Sequence, residues 1–267
     1  MEIKCTFSDF ESSKISNTMS LVHTITLIPA ILKTGKTCQY TKFPERMLTI
    51  KIIDVLYNEN MKAFMLTRKN KFAEKTEGEH LEAKHENDKV LCDLYGVIIR
   101  RMRFFPAIKK MNKFIIENGG ILLGHNIIED FKHLVCTQNV VKGPRIIKNK
   151  LGAYPVSGMY DPVWKNIITI DTMSILSNRC PKFNVEYISW CKQNESFLEK
   201  GMQSLERYMQ FLKNDKWYKL SHSAVQDTLN LFEVIKYAYK CDGPIIDGTS
   251  YIAKPNYINP PKNIDAV

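Results

Sequence analysis

The fold is decided by the stretch ILLGHNIIEDFKHL, which occupies residues 121–134. It begins with three apolar residues, and a short, fully apolar run is typical of a strand buried beside other strands. A Gly-His-Asn turn follows, in which Gly124 permits tight backbone and Asn126 can cap a helix. The following residues have helical spacing and carry Asp130 about one turn into the helix. The unit predicts a buried strand that delivers an acidic side chain to the edge of a sheet.

Apolar and β-branched runs on both sides of this unit predict the other strands. Three runs precede it with short links, which favours an antiparallel meander. One short buried run follows it. These runs cover residues 3–7, 19–32, 47–57 and 167–171. The predicted fold is therefore mixed α/β, with a five-stranded sheet that combines an antiparallel meander with parallel strands.

Helical spacing between and after the strands predicts helices that flank this sheet. The predicted helices include residues 90–118, 185–191, 197–212 and 222–239. We interpret residues 1–241 as one domain. It carries a charged insertion at about residues 68–89 and a basic loop at about residues 138–165. Residues 242–267 contain Gly and Pro without periodicity and predict an extended tail.

Composition limits the class of protein and its partners. The net charge of +10 favours a polyanionic partner, although a basic composition alone is weak evidence for one. Seven cysteines, an odd number without a C-x-x-C pair, indicate a reducing compartment. The charged amino terminus predicts no secretory signal, and the longest apolar run is too short to span a bilayer. We expect an intracellular protein of the cytoplasm or nucleus, neither secreted nor bound to a membrane.

Two further clusters carry candidate chemistry. Asp9 and Glu11 lie two residues apart at the end of the first predicted strand, so both carboxylates share one face there. Near the last predicted helix, the spacing of His222 and Asp227 suits a histidine on the entering loop and an aspartate inside the helix. Close carboxylates repel, and a divalent cation commonly offsets that repulsion. Each cluster alone also fits solvated surface residues.

Taken together and in order, the three clusters resemble the three motifs of the DEDDh exonuclease family. That family includes proofreading subunits of bacterial DNA polymerases, RNase T, oligoribonuclease and animal three-prime repair exonucleases. Ile170-Asp171-Thr172 resembles the family's D-T segment, and the resemblance runs from about residue 3 to residue 238. The chain departs from the pattern at Ser12-Ser13, where many members have two threonines, and in its longer segments between motifs.

The resemblance implies an RNase H-like fold and a 3′-5′ exonuclease that releases nucleoside monophosphates from DNA or RNA. Two Mg²⁺ or Mn²⁺ ions would be its cofactors, since both cations prefer oxygen ligands. Asp9, Glu11 and Asp227 would hold the first ion, with Asp9 also reaching the second. Asp130 would act at the second ion, chiefly through water. His222 would be the general base, because a histidine ordinarily titrates near neutral pH.

Candidate contacts to nucleic acid lie beside the motifs and in the basic loop. Phe10 is predicted either to pack beneath the metals or to stack on a terminal base. Ser12 and Asn126 flank the predicted metal ligands. The expected partners are single-stranded DNA or RNA 3′ ends, with duplex ends as a further candidate.

The basic loop is expected to hold the phosphate backbone of the incoming strand. Its candidate residues are Lys142, Arg145 and Lys148. The competing interpretation is a solvated insertion that faces away from the site.

Two other classes of function remain open at this point. One is a catalytically weak, nuclease-fold protein that binds nucleic acid; the other is an interaction module with a basic surface.

Overall fold

A computed structural model of the chain describes most of the predicted domain. The described residues are 2–14, 20–33, 40–42, 47–56, 77–142, 167–194 and 203–246. Most of the basic loop and of the carboxyl-terminal tail lies outside them.

A mixed seven-stranded sheet forms the centre of the molecule. Its strands are β1 (Glu2–Lys14), β2 (Ser20–Lys33), β3 (Tyr40–Lys42), β4 (Leu48–Ile52), β5 (Ile98–Met102), β6 (Ile121–Gly124) and β7 (Ile168–Asp171). The order across the sheet is β5-β4-β2-β1-β6-β7, and β3 pairs with β2. Strands β1, β2 and β4 form the antiparallel meander, while β6 and β7 run parallel to β1. The predicted RNase H-like mixed sheet is confirmed, with β3 and β5 added to the five predicted strands.

Helices cover both faces of this sheet. In chain order they are α1 (Ile53–Leu56), α2 (Glu77–Tyr95), α3 (Phe104–Glu117), α4 (Ile127–Lys142), α5 (Thr172–Arg179), α6 (Pro181–Gln193), α7 (Leu205–Lys213) and α8 (Ala224–Asp242). Helix α2 occupies part of the predicted charged insertion. None of the helices among these residues is long and apolar enough to cross a membrane.

The prediction of one helix over residues 90–118 is wrong. Helix α2 ends at Tyr95, and Gly96 adopts a left-handed φ of 63°, which glycine tolerates without a Cβ clash. Residues 98–102 then pair in parallel with β4 as an edge strand. The apolar residues of this segment satisfy helical spacing. Its backbone hydrogen bonds are nevertheless made with the neighbouring strand β4 and not within a local helix. The long-range partner therefore decides the structure of this segment.

Alternating side chains of β1 divide the core into two layers. Cys5 and Phe7 face the layer that contains α8, where the rings of Phe7 and Phe232 lie 5.6 Å apart. Phe10 faces the other layer, which contains α3 and α4. Because successive strand residues point to opposite faces, Asp9 and Glu11 lie on the same side of the sheet as α8. The sheet thereby sets the acidic pair against the helix that carries Asp227.

The domain extends slightly beyond its predicted boundary at residue 241. Asp242 completes α8, and Ile245 and Ile246 are buried in the layer that contains this helix. Six cysteines lie in the described part of the chain; all are free and five of them are buried. The five buried cysteines therefore act as small residues of the core.

Candidate metal centre

The acidic pair lies in the middle of the sheet, inside β1. The sequence predicted this pair at the end of a short strand. Strand β1 instead continues past the pair to Lys14. Asp9 stands opposite Thr26 and Glu11 opposite Thr24 on β2, and the register shifts immediately after Glu11. Such a bulge increases local twist and re-aims the side chains beside it. The strand therefore presents two carboxylates on one face, next to an irregularity.

Helix α8 supplies the third carboxylate. Ser223 caps the helix, its hydroxyl accepting a hydrogen bond from the Gln226 backbone N–H, and Asp227 lies in the first turn. Its negative charge is favoured there by the helix dipole. His222 is exposed in the entering loop and adopts a left-handed φ of 51°. As predicted, His222 thus lies in the entering loop and Asp227 lies inside the helix.

These elements bring Asp9, Glu11 and Asp227 together. One carboxylate oxygen from each lies within 4.8 Å of the others. Glu11 and Asp227 are only 9% and 5% exposed, whereas acidic clusters at protein surfaces are mostly well solvated. Three hard oxygen donors at this separation fit a divalent cation such as Mg²⁺ or Mn²⁺. The cluster could hold a metal ion, and such an ion would offset the repulsion among the buried charges.

Asp130 lies beside this cluster on α4, half-buried. Burial raises the pKa of its carboxyl well above the usual range, and the negative charges of Glu11, Asp171 and Glu129 raise it further. The charge of Glu11 thus acts on Asp130, which is not itself one of the three grouped residues. Its action through water stays a prediction.

The turn before α4 is fixed by Asp171 at the end of β7. Its carboxylate accepts backbone hydrogen bonds from Asn126 and Met173, each at 3.0 Å. Burial raises the pKa of Asp171, and these two hydrogen bonds oppose that rise. Asn126 is exposed at a left-handed φ of 55°. The D-T segment therefore has a structural role here, since it holds the turn that carries α4 toward the site.

His125 ties the same turn to the start of α7. Its Nε2 lies 2.7 Å from the Gln203 carbonyl oxygen, and its Nδ1 lies 3.3 Å from the Thr172 hydroxyl. Burial lowers the pKa of His125 to about 4, so the ring is neutral at physiological pH. His125 is thus a structural residue of the turn.

Gly124 is required by the same turn, and its replacement by alanine gives a testable prediction. A Cβ at this position would lie 2.7 Å from Ile127 Cδ1 and 2.9 Å from Ile127 Cβ. We expect Gly124→Ala to lower stability by about 1–3 kcal/mol, because α4 must move to relieve the overlap. Thermal unfolding measures this effect. As a control, Gly96→Ala meets no atom within 4 Å and should incur only backbone strain. A Gly124→Ala melting temperature equal to wild type would contradict the prediction.

Two of the predicted nucleic-acid contacts have partners inside the protein. Phe10 is 5% exposed and packs against Phe131 with ring centroids 6.4 Å apart. Its burial in the opposite layer excludes stacking on a base, which corrects that interpretation in favour of packing beneath the acidic pair. The Ser12 hydroxyl lies 3.1 Å from His133 Nδ1 and remains half-buried beside the bulge.

The predicted basic contacts are placed only in part. Lys142 is the last residue of α4, and Arg145 and Lys148 lie outside the described residues. Two other basic residues, Arg100 and Arg101, are exposed on the edge strand β5.

Sequence reasoning missed a buried aspartate behind α8. Asp88 on α2 is 2% exposed and accepts a hydrogen bond from the hydroxyl of Ser223, the residue after His222. Burial lowers the pKa of Lys51 on β4, and the negative charge of Asp88 opposes that change. Asp88 was hidden within a segment whose composition indicated only a solvated insertion.

It also missed an exposed aromatic residue just before His222. Trp217 lies between α7 and α8 and is 77% exposed. The signal was present in the sequence, since Lys216 and Lys219 flank two aromatic residues, and single-strand binding surfaces combine cations with aromatic rings.

Comparison of the sequence with protein-family models and with curated proteins finds no match.

Proposed function

We propose that this protein is a metal-dependent 3′-5′ exonuclease that hydrolyses phosphodiester bonds of DNA or RNA. The observation that carries the proposal is the convergence of Asp9, Glu11 and Asp227 within 4.8 Å on an RNase H-like sheet. Asp130 adds a fourth carboxylate beside them. The polarity of cleavage comes from the resemblance of the motifs to those of DEDDh exonucleases.

Each residue has a distinct part in the proposed reaction. Asp9, Glu11 and Asp227 would hold divalent cations, and Asp130 would act at the same centre through water. Bound there, a pair of such ions would supply a nucleophile at neutral pH and stabilise charge on the attacking and leaving oxygens. His222 takes a proton from the attacking water and passes it to solvent, and its exposure keeps that route open. The products are a shortened strand and a nucleoside 5′-monophosphate.

A nuclease-fold protein that binds nucleic acid without cleaving it is the second candidate. The retention of all four carboxylates and of His222 favours the enzyme over this candidate. A binding protein has no need of buried carboxylates at 4.8 Å, because they repel both one another and phosphate.

Titration of thermal stability with Mn²⁺ tests the metal centre without relying on activity. A ligand that binds only the folded state stabilises it by about 2.7 kcal/mol at 100 times its Kd. We therefore expect a rise in melting temperature of about 5–10 °C for a chain of this size. Asp227→Asn should lose most of this rise, and Asp93→Asn, an exposed site on α2, should keep it. Equal responses from the two variants would contradict a metal centre at Asp227.

A further inference from the structure

The segment between α7 and α8 is an ordered loop that leads directly to His222. It covers residues 214–221 and contains Trp217, whose side chain has the largest exposed fraction among the large hydrophobic residues of the described chain. Single exposed apolar side chains are common and need no ligand to explain them. The surroundings of Trp217 are what separate it from that ordinary case.

The backbone of the loop is held at several points. The Asp215 carboxylate accepts a hydrogen bond from the Trp217 N–H at 2.9 Å, and Gln210 Nε2 donates to the Tyr218 carbonyl oxygen at 2.9 Å. The Leu220 N–H donates to the Glu206 carboxylate at 3.1 Å. A chain tethered on both sides of Trp217 cannot easily fold this ring inward. The exposed ring is therefore a fixed feature of the surface.

Tyr218 joins this loop to the candidate metal centre. Its hydroxyl lies 3.4 Å from Asn230 Nδ2, one turn beyond Asp227 on α8. Burial raises the pKa of Tyr218, and the negative charge of Asp227 contributes to that rise. The residue next to Trp217 thus contacts the helix that carries Asp227.

One lysine lies over the exposed ring and another over the ring of its neighbour. Lys216 Nζ lies 5.2 Å from the centroid of the Trp217 ring, and Lys213 Nζ lies 4.7 Å from that of Tyr218. Lys219 pairs with Glu206 at 3.4 Å, and Asp215 adds another negative charge, so the local excess of positive charge is small. An aromatic face with adjacent cations suits stacked bases and their phosphates, whereas a strongly basic patch would suit a duplex backbone.

We propose that Trp217 and Lys216 form a stacking platform for single-stranded nucleic acid, upstream of the 3′ end held at the metal centre. Its position relative to the 3′ end rests on the proposed nuclease function, but binding of a single strand at Trp217 does not. Trp217 stacks on a base and Lys216 contacts an adjacent phosphate. Because every base has a stacking face, the platform has little sequence preference.

Binding of fluorescein-labelled 12-nucleotide single strands, one of DNA and one of RNA, tests the platform. Anisotropy is measured with the full chain in EDTA, so that hydrolysis plays no part. We expect Trp217→Ala to weaken binding by about 5- to 150-fold and Trp217→Phe to retain most of it. Lys216→Glu should lower the log–log salt slope by about 0.7. The controls are Phe105→Ala and Lys113→Glu, which alter exposed side chains on α3 in the opposite layer.

The outcomes separate this proposal from the nuclease. Weakened binding in Trp217→Ala, with Phe105→Ala unchanged, supports the platform whether or not the wild-type protein cleaves. Wild-type affinity in Trp217→Ala overturns the platform even if cleavage is found. A wild-type chain that binds neither strand in EDTA overturns it as well.

Discussion

Replacement of Asp227 by asparagine is expected to abolish phosphodiester hydrolysis while the protein stays folded. The side chain keeps its size, but the buried cluster loses one of three negative ligands. Loss of several kcal/mol of metal-dependent stabilisation of the transition state lowers the rate of hydrolysis by roughly 10³-fold or more. Asp9→Asn should behave in the same way. Initial rates on an end-labelled oligonucleotide in saturating Mg²⁺ or Mn²⁺ measure the effect.

The same substitution should stabilise the metal-free protein. Removing one charge relieves repulsion among Asp9, Glu11 and Asp227, and each kcal/mol so gained raises the melting temperature by about 2–4 °C. Unfolding in EDTA checks this, with Asp93→Asn as the matched exposed control. Near wild-type hydrolysis by Asp227→Asn, or a strongly destabilised variant, would contradict the assignment.

Replacement of His222 by alanine is expected to lower the turnover rate by about 10²–10⁴-fold, with substrate affinity little changed. A positioned general base usually accelerates a reaction by a factor of this size. The defect should shrink as pH rises, because hydroxide needs no base. Rates measured across pH at saturating substrate test both expectations.

A second variant separates chemistry from backbone strain at this position. His222 adopts a left-handed φ of 51°, which asparagine tolerates better than alanine. His222→Asn should therefore preserve the loop but still lack a base, and it should remain defective. Recovery of activity in His222→Asn would show that the alanine defect came from the backbone.

Local patterns were sufficient to predict the central sheet and the residues of the acidic cluster. The period of two in β1 puts Asp9 and Glu11 on one face, and helix-capping chemistry at Ser223 separates His222 from Asp227. Long-range contacts decided the parts that were missed. Residues 98–102 form a strand that pairs with β4, and the buried Asp88 is hydrogen-bonded to Ser223, the capping residue of α8.

Phe10 shows how two roles left open by the sequence are separated by packing. An aromatic residue between two acidic residues can either stack on a base or fill the core. Phe131 on α4 packs against Phe10 behind the sheet, so Phe10 fills the core. The exposed ring near the candidate site is instead Trp217. Its loop is held by hydrogen bonds to the side chains of Asp215, Gln210 and Glu206.

The central claim is that the carboxylate centre removes nucleotides from a 3′ end. The most direct measurement is a time course with one single-stranded oligonucleotide, labelled at its 5′ end in one arm and at its 3′ end in the other, in Mg²⁺ or Mn²⁺. We expect the 5′ label to show a ladder of products that shorten by one nucleotide, the 3′ label to be released at once as a labelled mononucleotide, and neither result with Asp227→Asn. Internal fragments as the first products, the reverse polarity, or no cleavage with either DNA or RNA would contradict it.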